Sequence, residues 1–268
     1  MDIKLVITDL DGTLLDAKKE IHPDFWPVHR QLTDKGILFA VASGRQLSSL
    51  ESTFTTIGND TLFIAENGTI VRYKGEVIHE NALEMAAANL FIHTGRCIEG
   101  AEIVLCGKDA AYVECTRKQF LEEVSKYYNR LQIVDDLTLV NDTILKVAIY
   151  DFYGAETNSY GHFKIYENDY KVAVSGPEWL DLTHPTANKG TAIEKVQEKL
   201  GISKEETMAF GDFLNDLEMM AAAGHSYAMK NAHPDILKVS RFITQFDNNE
   251  NGVVQTIRQK FNLTSGIS

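Results

Sequence analysis

Three short apolar stretches of this chain each run straight into a residue that can do chemistry. Residues 3–8 are apolar and rich in β-branched side chains, and they end at Asp9. Residues 37–42 end at Ser43, and residues 207–210 end at Gly211-Asp212. A continuous apolar run of this length, closed by a polar loop, is how a parallel strand buried on both faces reads. In open parallel sheets, ligands gather outside the carboxyl ends of the strands. Asp9, Ser43 and Asp212 can therefore converge although they are far apart in sequence.

The segments between these runs read as helices. One is expected over 23–35, with Gly36 as its stop, and another over 46–57. A strand follows at 62–65, then a hairpin of 70–73 and 76–79 joined across Lys74-Gly75. The order strand, helix, strand implies right-handed crossovers and a parallel sheet. The pattern changes over 83–184. A helix (83–96), two strands (102–105, 111–115) and a helix (117–129) come first. A strand (145–151), a helix (156–166) and two more strands (170–174, 179–182) follow. Adjacent strands of this kind suggest a mixed α+β layer. Alternation returns after Lys189, with a helix at 191–200 ending at Gly201, the strand at 207–210 and a helix at 214–223. Residues 226–229, 234–239, 242–244 and 252–261 continue as strand, helix, strand, helix. The expected architecture is an α/β core, 1–82 and 185–268, interrupted by an inserted α+β domain, 83–184.

The net charge of −12 argues against a general nucleic-acid binder, which needs Lys and Arg to release counterions from phosphates. It leaves a phosphorylated small molecule open, because one metal ion can reverse the field inside a cleft. Cys97, Cys106 and Cys115 are odd in number and form no CxxC pair, so neither a disulfide framework nor a zinc site is expected. A reducing cytosol fits this cysteine usage. Residues 1–4 do not resemble a signal peptide, and no apolar run approaches the ~18 residues of a membrane span. The expectation is a cytoplasmic protein without a membrane partner; its oligomeric state is not legible.

Asp9 and Asp11 flank Leu10. At an extended strand end, residues two apart point the same way. Two carboxylates so placed repel, and a cation between them would relieve the repulsion. Asp212 and Asp216 stand four apart, where a Gly-Asp step leads into a helix, so both can face one cleft. Several carboxylates with water are the usual protein ligands of Mg²⁺. Ser43-Gly44 before a helix reads as a phosphate cradle built on a helix N-terminus. Lys189 starts a helix and offers a point charge to phosphate oxygens. Taken singly, each of these residues is an ordinary cap, turn or surface residue; their common placement at element ends is what points to phosphoryl transfer. The eight histidines form no HxxxH or HxH pair, so none is assigned as a ligand. Tyr127, Tyr128, Phe152, Tyr153, Tyr160, Phe163, Tyr166 and Tyr170 could line a substrate pocket, but such residues are more often core and are read so here.

These residues together carry a resemblance. Asp9-Leu10-Asp11-Gly12-Thr13-Leu14, Ser43-Gly44-Arg45, Lys189 within Asn188-Lys189-Gly190, and Gly211-Asp212-Phe213-Leu214-Asn215-Asp216 resemble, in order, the four motifs of the haloacid dehalogenase superfamily in its phosphatase form. Glu66-Asn67-Gly68 and the segments Met229-Lys230-Asn231-Ala232 and Asn251-Gly252-Val253 are similar to the Cof-type branch. The resemblance implies a Rossmann-like core with helices on both faces and Mg²⁺ as cofactor. It implies Asp9 as nucleophile and metal ligand, and Asp11 as general acid then base, its backbone carbonyl on the metal. Asp212 would be a direct metal ligand and Asp216 a direct or water-bridged one. Ser43, Gly44, Lys189 and Asn215 would hold the substrate's phosphate. The stretch from Asp9 to Ser43 is too short for a cap. That from Ser43 to Lys189 is long enough, which implies a cap in the family's second position. Phe213 departs from the family, whose members often carry Asn there. Sugar phosphates are the implied substrate class. The alternatives are a phosphomutase, whose cap usually lies between the first two motifs, and a phospho-aspartate regulator, which lacks a cap and the Gly-Asp-x-x-Asn-Asp segment.

Overall fold

β1 (Leu5–Thr8) is buried along its whole length, and the rest of the first sheet is built out from it. In the computed structural model, which describes residues 2–264, the chain continues as α1 (Phe25–Asp34), β2 (Leu38–Ala42), α2 (Leu47–Thr53), β3 (Thr61–Ala65), β4 (Ile70–Tyr73) and β5 (Glu76–Glu80). Next come α3 (Met85–Arg96), β6 (Ala101–Gly107), β7 (Ala111–Val113), α4 (Lys118–Val124), β8 (Leu131–Ile133), β9 (Ile144–Asp151), α5 (Tyr160–Phe163), β10 (Lys171–Val174) and β11 (Trp179–Thr183). The last stretch is α6 (Lys189–Leu200), β12 (Thr207–Gly211), α7 (Leu217–Ala222), β13 (His225–Ala228), α8 (Pro234–Val239), β14 (Phe242–Ile243) and α9 (Gly252–Phe261). Two compact units result. One comprises Met1–Gly44, Phe54–His79 and Asn188–Ser268; the other comprises Arg45–Thr53 and Glu80–Ala187. The second unit thus takes in the helix α2, which the sequence pattern places with the core.

The sheet of the first unit has the order β14-β13-β12-β1-β2-β3-β4-β5, and helices lie on both faces. From β14 to β3 every pair is parallel; β4 turns back antiparallel on β3. Leu5 lies opposite Leu38 on one side and Thr207 on the other. The chain builds outward from β1 to β2 and β3, then returns to add β12, β13 and β14 on the opposite edge. The strand order therefore reverses between β1 and β12. That reversal is where an open α/β sheet leaves a crevice at its carboxyl end. Packing fixes the frame: α1 buries Phe25, Val28, His29 and Leu32 on one face, and the Phe25 ring stands 5.2 Å from Phe39 and 6.0 Å from Phe54. Cutting one such buried ring to Ala costs roughly 3–5 kcal/mol.

The sheet of the second unit has the order β10-β11-β9-β6-β7-β8. Its pairs are antiparallel except β7 with β8, which is parallel. On one face Phe91 and Ile92 of α3, with Phe163, pack against Val147, Ile149, Leu180 and Leu182. On the other, Phe120 and Val124 of α4 pack against Val104, Cys106, Ala148 and Tyr150. Among the aromatics read as core, Phe163 and Tyr128 are buried, whereas Tyr127 and Tyr153 are exposed.

Several elements differ from the sequence expectation. β8 was not expected: it is three residues long and two of its side chains face solvent, so it shows no hydrophobic pattern. The helices expected over 46–57, 117–129 and 156–166 are shorter. In α2 the hydroxyls of Ser52 and Thr53 bond back to the Ser49 carbonyl at 2.9 Å. In α4 Ser125 bonds back to Leu121 at 2.6 Å. Such bonds compete with continuation of the helix. Before α5, Asp151 captures the N–H groups of Tyr153 and Ser159 at 2.9 Å, which holds the chain in a loop. Among the described residues, no helix is long and apolar enough to cross a membrane.

Candidate active site

Asp9 is the first residue past β1. Its N–H donates to the Phe210 carbonyl at 2.9 Å, pinning it beside the end of β12. The loop that follows is interlocked with the loop after β12. Gly12 has φ +82°, and a Cβ there would run into the Asp212 carboxylate, so glycine is required twice over. Thr13 donates its hydroxyl to Asp212 Oδ1 at 2.7 Å. The Asn231 amide donates to the Gly12 carbonyl at 2.8 Å.

Asp216 is fully buried at the end of a 3-10 turn, Leu214–Asp216, just before α7. Its Oδ2 accepts the N–H groups of Asp212 (3.0 Å) and Phe213 (3.2 Å), so it folds the Gly-Asp loop around itself. Its Oδ1 accepts Lys189 Nζ at 2.6 Å. Lys189 is fully buried at the first position of α6, a helix capped by Asn188, whose side chain accepts the Thr191 N–H at 2.8 Å. The same ammonium donates to Asp9 Oδ1 at 2.5 Å.

Asp9, Asp212 and Asp216 each offer one carboxylate oxygen, and these oxygens lie within 4.8 Å of one another. Fully ionised, three carboxylates against one ammonium would leave two negative charges in a largely buried place. The strain shows in the acidities. Burial pushes Asp9 up to about 8, against the pull of Lys189, and the neighbouring Asp216 and Asp212 push it the same way. Burial also lifts Asp212 to about 6, although the Thr13 hydroxyl opposes the rise. For Lys189, burial works to lower the pKa; Asp216 and Asp9 outweigh it and raise the group further above its ordinary value. The oxygen donors, their spacing and the surplus charge fit a hard divalent cation such as Mg²⁺.

Two expectations are corrected. The Asp11 carboxylate is not part of the cluster that Asp9 forms with Asp212 and Asp216. It is turned to Lys19, whose ammonium stands 2.7 Å from Asp11 Oδ1. The reason is local: the chain leaves extended geometry after Thr8, and the Leu15 N–H turns back onto the Leu10 carbonyl at 2.9 Å, so residues two apart no longer point the same way. The Ser43 N–H is not one of the free donors expected ahead of a helix, although α2 does follow, from Leu47. The Ser43 N–H is donated to Ile64 O at 2.9 Å, and its carbonyl accepts the Asn67 N–H at 2.9 Å. Asn215 donates its amide to Asn67 Oδ1 at 3.0 Å. Phe213 is 56% exposed and meets His233 edge-on, with ring centres 5.7 Å apart. Asp9, Asp212, Asp216 and Lys189 are thus brought into direct contact or near it, and Asn215 is tied to the loop after β3. Thr13, Lys19 and Asn67 carry contacts that the sequence patterns did not single out by role. Thr13 and Asn67 lie inside recognisable motifs; Lys19 has no signal at all.

The model of the haloacid dehalogenase-like hydrolases matches residues 6–257. The chain belongs to this family. Similarity extends to its members over nearly full length. The 5-amino-6-(5-phospho-D-ribitylamino)uracil phosphatase YbjI of Escherichia coli is 32% identical over 262 residues, covering 96% of each chain. Phosphatase YwpJ of Bacillus subtilis is 27% identical, over 96% of this chain and 99% of that one. A crystal structure from Eubacterium rectale superposes with a TM-score of 0.87 at 26% identity, over 97% of this chain and 100% of that one. As a haloacid dehalogenase-like hydrolase of Cof type, the chain is an enzyme.

Proposed function

We propose that this hydrolase is a Mg²⁺-dependent phosphatase that removes phosphate from phosphorylated small molecules, sugar phosphates above all, through an aspartyl-phosphate on Asp9. The observation that carries the reading is the cluster of buried Asp9 and Asp216 with half-buried Asp212 beside Lys189, at the point where the strand order reverses. The relatives support it: the Escherichia coli protein is named for a phosphatase acting on a phospho-ribityl compound.

The chemistry divides among named residues. An Asp9 carboxylate oxygen attacks phosphorus while the bond to the leaving oxygen breaks, and Asp11 gives that oxygen a proton. Asp11 then takes a proton from water, the water oxygen attacks phosphorus, and the bond to Asp9 breaks to release inorganic phosphate. Lys189, by holding Asp9 Oδ1, fixes the nucleophile and pulls toward its ionised form against the effect of burial. Ser43, Gly44, Lys189 and Asn215 hold the phosphoryl oxygens. The side chains of Asp9, Asp212 and Asp216 and the Asp11 carbonyl would hold Mg²⁺, which when bound neutralises charge on the phosphoryl group. The inserted unit would act as the cap that selects substrates. Three cysteines outside any disulfide among the described residues accord with a cytoplasmic setting.

The test is phosphate release from a panel of sugar phosphates, nucleotides and cofactor phosphates, with and without Mg²⁺. Turnover should require the cation and be highest on sugar phosphates. Asp9→Asn should fold and be inert, and full activity in that variant would contradict the proposal.

A further inference from the structure

The loop after β3 has an unusual backbone. Glu66 (φ +48°) and Asn67 (φ +54°) are consecutive non-glycine residues in the left-handed region, followed by Gly68 at φ +95°. Positions of this kind are sparsely populated and persist only where surrounding structure holds them. The contacts of Asn67 and Gly68 lead to one place. The Asn67 N–H donates to the Ser43 carbonyl at 2.9 Å. Its amide lies beside Gly44, 3.1–3.4 Å from where a Cβ on Gly44 would stand. Its Oδ1 accepts the Asn215 amide at 3.0 Å. Gly68 is pressed against the carbonyl of Asn188, so close that a Cβ would overlap it, and Asn188 is the cap that starts the helix of Lys189.

We infer that Asn67 is the positioning residue of the phosphate cradle: it sets the relative places of Ser43, Gly44 and Asn215. This rests on the phosphatase reading above, since those three residues are assigned to the phosphoryl group there. The left-handed backbone is what lets one residue present its N–H to Ser43 and its side chain to both Gly44 and Asn215. An ordinary residue in extended or helical geometry cannot aim both at once. The cation ligands are not among its contacts, so the role separates phosphate binding from metal binding.

The experiment is calorimetric titration of inorganic phosphate into the Mg²⁺-loaded wild type, N67G, N67A, N215A and the N67G/N215A double variant. Thermal midpoints and Mg²⁺ affinities are measured alongside. Glycine keeps the left-handed backbone and removes only the side chain; alanine also strains the backbone. N67G and N67A should both bind phosphate about five- to tenfold more weakly, the loss expected for one hydrogen bond. N67A should melt lower than N67G without a further loss of phosphate affinity. The double variant should bind no more weakly than the worse single one, because both changes break the same unit. Mg²⁺ affinity should stay unchanged. Phosphate binding by N67G within twofold of wild type, or additive losses in the double variant, overturns the inference. Should N67G not fold, N67D replaces it: its added charge should weaken phosphate more than tenfold, and wild-type affinity there is equally fatal. If the wild type binds phosphate but releases none from any ester, the phosphatase reading fails and the positioning role stands. If the wild type turns over and N67G binds phosphate normally, the positioning role fails alone.

Discussion

In the second unit, Asp151 is fully buried and its carboxylate accepts the N–H groups of Tyr153 and Ser159 and the amide of Asn158. Arg96 in the same unit binds both Glu114 and Asp136, and the Thr138 hydroxyl together with Arg96 holds Asp136 down at about 2. Charge there is closed by its own partners. The first unit buries charge differently. Asp9 and Asp216 share one ammonium, Asp212 stands beside them on the Thr13 hydroxyl, and two of the three carboxyls are lifted well above the ordinary range. A buried charge that its neighbours satisfy is architecture; a buried charge left over after counting the neighbours is a place for a ligand.

Breaking the one compensating charge gives the largest effect. Lys189→Met should leave Asp9 and Asp216 without their cation and destabilise the protein by about 3–5 kcal/mol in urea unfolding. Turnover should fall by orders of magnitude, and added Mg²⁺ should restore stability in part. Asp151→Ala is the counterpart in the other unit. It strands two backbone donors and should lower stability by about 1–3 kcal/mol. Its kcat per folded molecule should match wild type, which sharpens the contrast between structural and functional burial. A Thr13→Val change removes the hydroxyl that orients Asp212 and keeps the volume. Mg²⁺ affinity should drop about tenfold, the low end of what losing a ligand's supporting hydrogen bond does, with the thermal midpoint scarcely moved.

The smallest effect is on pH. Folded, metal-free protein keeps protons on Asp9 and Asp212 that the unfolded chain releases at about pH 4. Stability from these groups is full below that pH and is lost as pH rises through about 6 for Asp212 and about 8 for Asp9. The thermal midpoint without metal should therefore drift down by a few degrees from pH 5.5 to 8. With Mg²⁺ saturating, the drift should vanish or reverse.

Much of the acidic half was legible in the sequence, because Asp9 and Asp212 each follow a strand that hydrophobic patterning reveals. The switch between β1 and β12 then follows from connection order. The rest depends on backbone turns that no periodicity encodes. Asp11 is carried away from Asp9 by the turn at Gly12 and meets Lys19, which no spacing rule couples to it. Asn67 has its role through two left-handed residues, and nothing in Glu66-Asn67 demands that conformation. β8 escaped because a three-residue strand with two solvent-facing side chains shows no burial signal. Three helices were read too long because side chains bond to the nearby backbone: Ser52 and Thr53 in α2, Ser125 at the end of α4, and Asp151 ahead of α5.

Calorimetric titration of Mg²⁺ at pH 7, on wild type and on Asp212→Ala, tests the leftover charge most directly. The account predicts one site in the wild type, with protons released on binding in buffers of differing ionisation enthalpy, and no comparable site in the variant. Equal binding by both proteins, or none by the wild type, would contradict it.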